Sequence, residues 1–272
     1  MITSSQNPSV RYLKELRDRP KARDAEGRFL AEGVKMFLEA PEHLIEEVWL
    51  REGFSEGSGP EAGVRGEDFV SSCLAKAEDL RARGVKTETL SEGLFSKISD
   101  TKTPQGILFV CRKPFRTVEE MLERKDARNL LFLEDLQDPG NLGTIIRTAE
   151  GAGIRGILMT EGCVDLFNPK VVRATMGSLF RVPVLKTKEP AELISELKRK
   201  GFQILASRLD GAVSYDEADY SGESVILIGN EARGLSEEMS KESDIRVIIP
   251  MKGSLESLNA AVAAALLMYR AR

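Results

Sequence analysis

Histidine is almost absent from this chain of 272 residues. His43, in Pro41-Glu42-His43-Leu44, is the only one and stands far from any other candidate catalytic group. A general-base histidine needs an oriented partner, so His-based triads and most His-containing metal sites are excluded. Cysteine is scarce as well. Cys73, Cys111 and Cys163 are scattered and odd in number, which speaks against a disulfide framework or a paired-cysteine zinc site and suits small buried hydrophobes. No metal is expected. No run approaches the roughly 18 apolar residues that span a bilayer, and Met1-Ile2-Thr3-Ser4-Ser5 lacks the apolar core of a signal peptide. A cytoplasmic protein without a membrane partner is expected. An excess of positive charge is missing too. The formal charge of −4 argues against indiscriminate coating of nucleic acid, although single patches can still be basic.

What is present points to a soluble globular chain, with 42% apolar and 30% charged residues, long enough for two domains that each bury a core. Basic residues cluster twice. Between Ser9 and Met36 lie Arg11, Lys14, Arg17, Arg19, Lys21, Arg23, Arg28 and Lys35, outnumbering the acids there. Lys170, Arg173, Arg181 and Lys186 form the second cluster, with Asp165 the only acid between Gly162 and Lys188. Runs of this kind are more often solvated helix faces than binding sites.

Along the chain, Val10, Leu13 and Leu16 recur at helical spacing until Pro20, a second helix spans about Phe29 to Glu39, and Val48-Trp49-Leu50 begins a strand. Gly53 to Gly66 reads as a flexible loop, Cys73 to Arg83 as a helix, and Gly106 to Val110 as a strand. These residues form an N-terminal domain, 1–114. The highly charged stretch 115–128 is expected as a linker, partly helical, and 129–272 as a second domain. There, apolar strand cores (Leu130 to Leu133, Ile157 to Met159, Val182 to Leu185, Ile204 to Ala206, Val225 to Ile228, Val247 to Ile249) alternate with helices starting near Asn141, Pro169, Pro190, Ser236 and Ser254. Short continuous apolar strands between helices predict a parallel sheet covered on both faces.

Gly151-Ala152-Gly153-Ile154-Arg155-Gly156 matches the dinucleotide-binding glycine pattern. That motif requires a strand before the glycines and a helix after them, and here the order is reversed. The glycines read better as a helix stop, which disfavours a nucleotide-cofactor oxidoreductase.

Three other segments each follow a predicted strand: Asp138-Pro139-Gly140-Asn141-Leu142-Gly143-Thr144-Ile145-Ile146-Arg147, then Ile228-Gly229-Asn230-Glu231-Ala232-Arg233-Gly234, then Ile249-Pro250-Met251-Lys252-Gly253 running to Ser257-Leu258-Asn259. Open α/β sheets put ligand sites at such strand ends. In the first segment Leu142, Ile145, Ile146 and Ala149 make an apolar stripe, and Arg147 projects away from it, above Gly143. In the second, a polar turn after a buried strand offers backbone groups to an adenine edge, with Glu231 able to orient Arg147 or ribose hydroxyls. The helix after the third is apolar almost all round from Ala260 to Met268, which implies burial on several faces.

In this order and spacing the segments resemble the three signature motifs of the SpoU/TrmH family of RNA ribose 2'-O-methyltransferases, in the SPOUT superfamily. The resemblance is strong over the second half of the chain and looser over the first hundred residues. It implies an α/β protein whose C-terminal SPOUT-type parallel sheet carries a trefoil knot, preceded by a small α/β RNA-recognition domain. It implies S-adenosylmethionine as cofactor, rRNA or tRNA as substrate, and a homodimer in which two subunits complete each active site. Carried over by position, Asn141, Arg147, Glu231 and Asn259 are the expected catalytic residues. Leu227, Gly229, Asn230, Ile249, Met251, Ser257 and Leu258 are the expected cofactor residues. Arg11, Lys14, Arg17, Arg173 and Arg181 are the expected RNA contacts. Family members often carry a serine soon after the asparagine, where this chain has Ala260-Ala261. A catalytically silent RNA-binding protein of the same fold is the alternative.

Overall fold

A computed structural model of the protein describes residues 1–54, 66–114, 116–210 and 213–272. Most of the loop expected from Gly53 to Gly66 lies outside the described residues. The chain divides into two compact units, Met1–Phe115 with Asp165–Phe180, and Arg116–Val164 with Arg181–Arg272.

In the first unit, helix α1 (Pro8–Asp18) starts where the Asn7 side chain accepts from the Ser9 backbone N–H, and Pro20 opens α2 (Pro20–Glu26). Gly27 ends α2 at φ 63°, a left-handed conformation that costs glycine nothing. Strands β1 (Arg28–Glu32), β2 (Ile45–Arg51), β3 (Lys86–Leu90) and β4 (Ile107–Arg112) form a sheet in the order β1-β4-β2-β3. Helices α3 (Val34–Glu39), α4 (Gly66–Ala82) and α5 (Glu92–Ile98) connect them. The helix expected from about Phe29 is a strand up to Glu32 and a helix only from Val34. Phe29, Leu30 and Ala31 are all buried and pair with β4 across the sheet, so tertiary burial overrides the local pattern. The apolar stripe of α1 does what its spacing predicts: Val10, Leu13 and Leu16 bury against Leu30, Trp49, Phe95 and Leu108.

The second unit carries a sheet of β5 (Arg128–Leu133), β6 (Ile154–Thr160), β7 (Val184–Thr187), β8 (Gln203–Ser207), β9 (Val213–Ser214), β10 (Ser224–Ile228) and β11 (Ile245–Ile248). Its order is β7-β6-β5-β10-β8-β11-β9 and every pairing is parallel. β6 and β10 are buried at every position, as strands covered on both faces must be. The helices are α6 (Val118–Leu122), α7 (Pro139–Ala152), α8 (Pro169–Ala174), α9 (Pro190–Arg199), α10 (Glu237–Lys241) and α11 (Ala260–Ala271). Of these, α8 belongs to the first unit.

Several expectations change here. In the stretch expected as a linker, α6 docks Met121 fully buried into the core. Gly156 on β6 makes room for it, since a Cβ there would come within 2.4 Å of the Met121 sulfur. Asp165–Phe180, expected in the second domain, packs with the first unit: Phe167 stacks on Phe29 at 4.8 Å, and the buried Arg23 pairs with Asp165 at 2.5 Å. The final helix begins at Ala260 rather than near Ser254, because the Asn259 side chain accepts from the N–H groups of Ala261 and Val262 and caps it there. Leu255 and Leu258 therefore lie in a loop. Gly153 does end α7, at φ 70°. Among the described residues no helix is long and apolar enough to cross a membrane.

Candidate active site

Strand β10 sits between β5 and β8, so the chain order reverses on either side of it, and the loops beyond the carboxyl ends of these strands converge. The Glu231 carboxylate, in the loop after β10, accepts from the backbone N–H groups of Gln137 at 3.1 Å and Asp138 at 2.9 Å, and from the Asn141 amide at 3.1 Å. The Asn141 oxygen in turn accepts from the Asn259 amide at 2.9 Å. One polar chain, Glu231–Asn141–Asn259, therefore joins all three motif segments. It continues into the first turn of α11 through the cap made by Asn259. Burial alone would raise the Glu231 carboxyl, but the N–H groups of Asp138, Gln137 and Glu231 itself and the Asn141 amide outweigh it and hold the group below its ordinary value.

Arg147 lies on the exposed side of α7, two helical turns into the helix, opposite the buried stripe of Leu142, Ile145, Ile146 and Ala149. Its side chain has no hydrogen-bond or ion-pair partner among the described residues, so Glu231 does not orient it within one chain. A guanidinium is always protonated at neutral pH, which leaves a fixed positive fork facing outward.

A cleft of about 450 Å³ opens beside the loops after β8, β10 and β11, with Glu231 on its wall. Of the expected cofactor residues, Ile249, Met251, Ser257 and Leu258 line it. Leu227 does not; it is fully buried in the sheet and packs in an apolar core cluster of the second unit. Gly229 and Asn230 shape the wall instead. A Cβ on Gly229 would stand 2.1 Å from the Gly234 backbone carbon. Asn230 donates to the Asp135 carbonyl at 2.8 Å and accepts from Ala232 and Arg233 N–H groups, while its backbone pairs with Gly234 in both directions. Glu134 closes the far end of this loop by accepting from the N–H and hydroxyl of Ser236 at 2.7 and 2.6 Å.

Ser207, Arg208, Leu209 and Asp210 also line the cleft and were missed in the sequence. Their only signal was their place directly after a buried parallel strand; they carry no glycine-asparagine signature. Ala260 and Ala263, at the start of α11, complete the apolar side. A second, more open groove of about 600 Å³ runs along α11, lined by Val262, Ala265, Leu266 and Tyr269 with Asn141, Thr144 and Asn259 at its polar edge. Val262 and Tyr269 are each 48% exposed.

The expected RNA contacts divide. Arg11 is exposed and Lys14 partly so on α1, whereas Arg17 bonds to Asp18 and to the carbonyls of Lys97 and Ile98. Arg173 pairs with Asp100 within the first unit, and Arg181 with Glu150 within the second.

The SpoU rRNA Methylase family model matches residues 128–269, and an MRM3-like substrate binding domain matches residues 7–108. The 23S rRNA (guanosine(2553)-2'-O)-methyltransferase RlmP of Bacillus subtilis (strain 168) is 36% identical over 271 residues, covering 100% of this chain and 98% of its own. Among solved structures, an AdoMet-bound rRNA methyltransferase from Sinorhizobium meliloti superposes with a TM-score of 0.82 at 30% identity, covering 100% of this chain and 96% of that one. The SpoU methyltransferase AviRb from Streptomyces viridochromogenes, in complex with AdoMet, gives 0.79 at 26% identity, covering 97% of each chain. The chain belongs to the SpoU rRNA methylase family and is an RNA 2'-O-methyltransferase that uses S-adenosylmethionine.

Proposed function

We propose that the protein methylates a ribose 2'-hydroxyl of ribosomal RNA, in the cytoplasm, at an active site completed by two copies of the chain. The observation that carries this is the polar chain Glu231–Asn141–Asn259. Glu231 lines the cleft, whereas Asn141 and Asn259 line the apolar groove, so one hydrogen-bonded relay ties the two surfaces together. Arg147 lines neither. It stands one turn beyond Thr144 at the groove edge.

The cleft fits the cofactor. Its volume falls within the roughly 300–1,000 Å³ of small-molecule sites. Leu235, Ile249, Met251 and Leu258 supply apolar walls for an adenine and the aliphatic stem of a methionyl group, and the turn loops supply backbone donors and acceptors. S-adenosylmethionine, when bound, supplies a methyl already activated on a sulfonium, which leaves the protein to align the hydroxyl and stabilise the developing alkoxide. Arg147 provides that positive charge, and Glu231 and Asn141 hold the loops in register. The proton passes to phosphate or water. Insertion of the late strand β10 between β5 and β8 supports a trefoil knot formed by the chain that follows it.

Calorimetry with the 272-residue chain is expected to show S-adenosylmethionine binding without RNA and unchanged by a chelator; loss on chelation would reveal a metal requirement. Gly229→Ala is expected to weaken that binding at least tenfold, since its methyl would have to displace the Gly234 backbone. Unchanged affinity would show that this loop does not shape the cofactor site. RNA-dependent transfer of labelled methyl to an unmodified 23S rRNA transcript, absent after prior 2'-O-methylation, tests the activity. Binding of RNA without turnover would instead identify a silent RNA-binding protein.

A further inference from the structure

The first unit carries a basic face assembled from three distant parts of the chain. Arg17, on the last turn of α1, donates to the carbonyls of Lys97 at 2.8 Å and Ile98 at 3.1 Å, which fixes the end of α5 beside α1. Glu32, at the end of β1, accepts from the Ser99 hydroxyl at 2.6 Å, the Thr101 hydroxyl at 2.9 Å and the Asp100 N–H at 3.2 Å. This shapes the turn that precedes Lys102. Gln105 anchors the other end of the loop by accepting from the Val34 N–H at 2.9 Å. Asp100 then pairs with Arg173 at 3.1 Å, which holds α8, and with it Lys170, on the same turn. A shallow recess lined by Arg17, Glu32, Ile98, Asp100, Pro169 and Arg173 marks where the three parts meet.

The acids on this face are consumed internally: Glu32 by three donors and Asp100 by Arg173. Lys97, Lys102 and Lys170 are exposed and have no carboxylate partner among the described residues. The positive charge is local, since the whole chain carries −4. Ammonium groups act on phosphate as point charges and need no planar fork, and a hydrogen-bonded support lowers the ordering cost of binding.

We infer that Lys97, Lys102 and Lys170 grip the phosphate backbone of the substrate RNA, with Arg17 and Arg173 building the face rather than touching the RNA. The inference rests on the RNA methyltransferase function proposed above. It gives the segment Asp165–Phe180, which lies within the match to the methylase family, a part in substrate binding.

The test uses the full chain with all three lysines changed to Ala and an unmodified 23S rRNA transcript as probe. Every phosphate that is no longer neutralised lowers the slope of log affinity against log salt by roughly 0.7 to 0.9. The slope is therefore expected to fall by about 2 to 3, with the rate at saturating RNA within threefold of the parent and S-adenosylmethionine binding unchanged. Arginine at the same three positions should preserve the slope. Alanine at Lys35, Arg81 and Lys188, exposed cations elsewhere, should leave it unaltered. A steep parent slope that survives the triple change, or an equal fall in the control, overturns the assignment while leaving the methyltransferase function standing. A parent that neither binds nor methylates RNA overturns both.

Discussion

Arg147→Ala is expected to slow single-turnover methyl transfer about 10²- to 10³-fold, the usual cost of losing one donor aimed at a developing oxyanion. The side chain is exposed and without a protein partner among the described residues, so its removal should leave the fold and S-adenosylmethionine binding intact. Lysine should rescue poorly, because a single ammonium cannot reproduce the planar two-pronged geometry of a guanidinium. Saturating cofactor and RNA separate chemistry from binding in this measurement. A variant rate within threefold of the parent would remove Arg147 from the mechanism and leave Glu231 and Asn259 as candidates.

Val262→Glu is expected to convert the proposed homodimer into monomers and to abolish methyl transfer. Val262 is 48% exposed on α11, while Ala260, Ala261, Ala264, Leu267, Met268 and Ala271 form the buried side of that helix. The change should therefore spare the monomer fold. In a dimer it would bury an unpaired carboxylate, at a cost of several kcal/mol; roughly 4 kcal/mol is about a thousandfold in association. Light scattering and activity should fall together, whereas cofactor binding should persist, because Val262 does not line the cleft. If the unmodified protein proves monomeric at micromolar concentration, the shared active site is wrong.

The main strands of the second unit were legible because a strand covered on both faces must be apolar at every position, so Val225 to Ile228 could hardly be anything else. Local chemistry also marked helix starts, as at Pro190 and at Ser236, whose hydroxyl accepts from the Met239 N–H. Leu255, Leu258 and Val262 recur at helical spacing, so the sequence predicts the last helix from about Ser254. The cap that stops it depends on Asn259, whose amide is held by Asn141, 118 positions away. The two-residue strand β9 has no pattern long enough to recognise.

The same division governs the site. Glycine, asparagine and the order of the motifs identify the family and the segments that converge at the candidate site, since those residues answer to backbone needs within a few positions of themselves. Which side chains meet was decided by the sheet order. By bringing the ends of β5, β8, β10 and β11 together, it sends Glu231 to Asn141 rather than to Arg147, buries Leu227 and admits Ser207 to Asp210 to the cleft. It was likewise tertiary packing that drew Asp165–Phe180 to the first unit, through Arg23 and Phe29. Periodicity and capping are short-range and can be read along the chain. The partners of Glu231, Asn141 and Arg23 lie 90, 118 and 142 positions away, and the energy of those interactions exists only once the chain has closed around them.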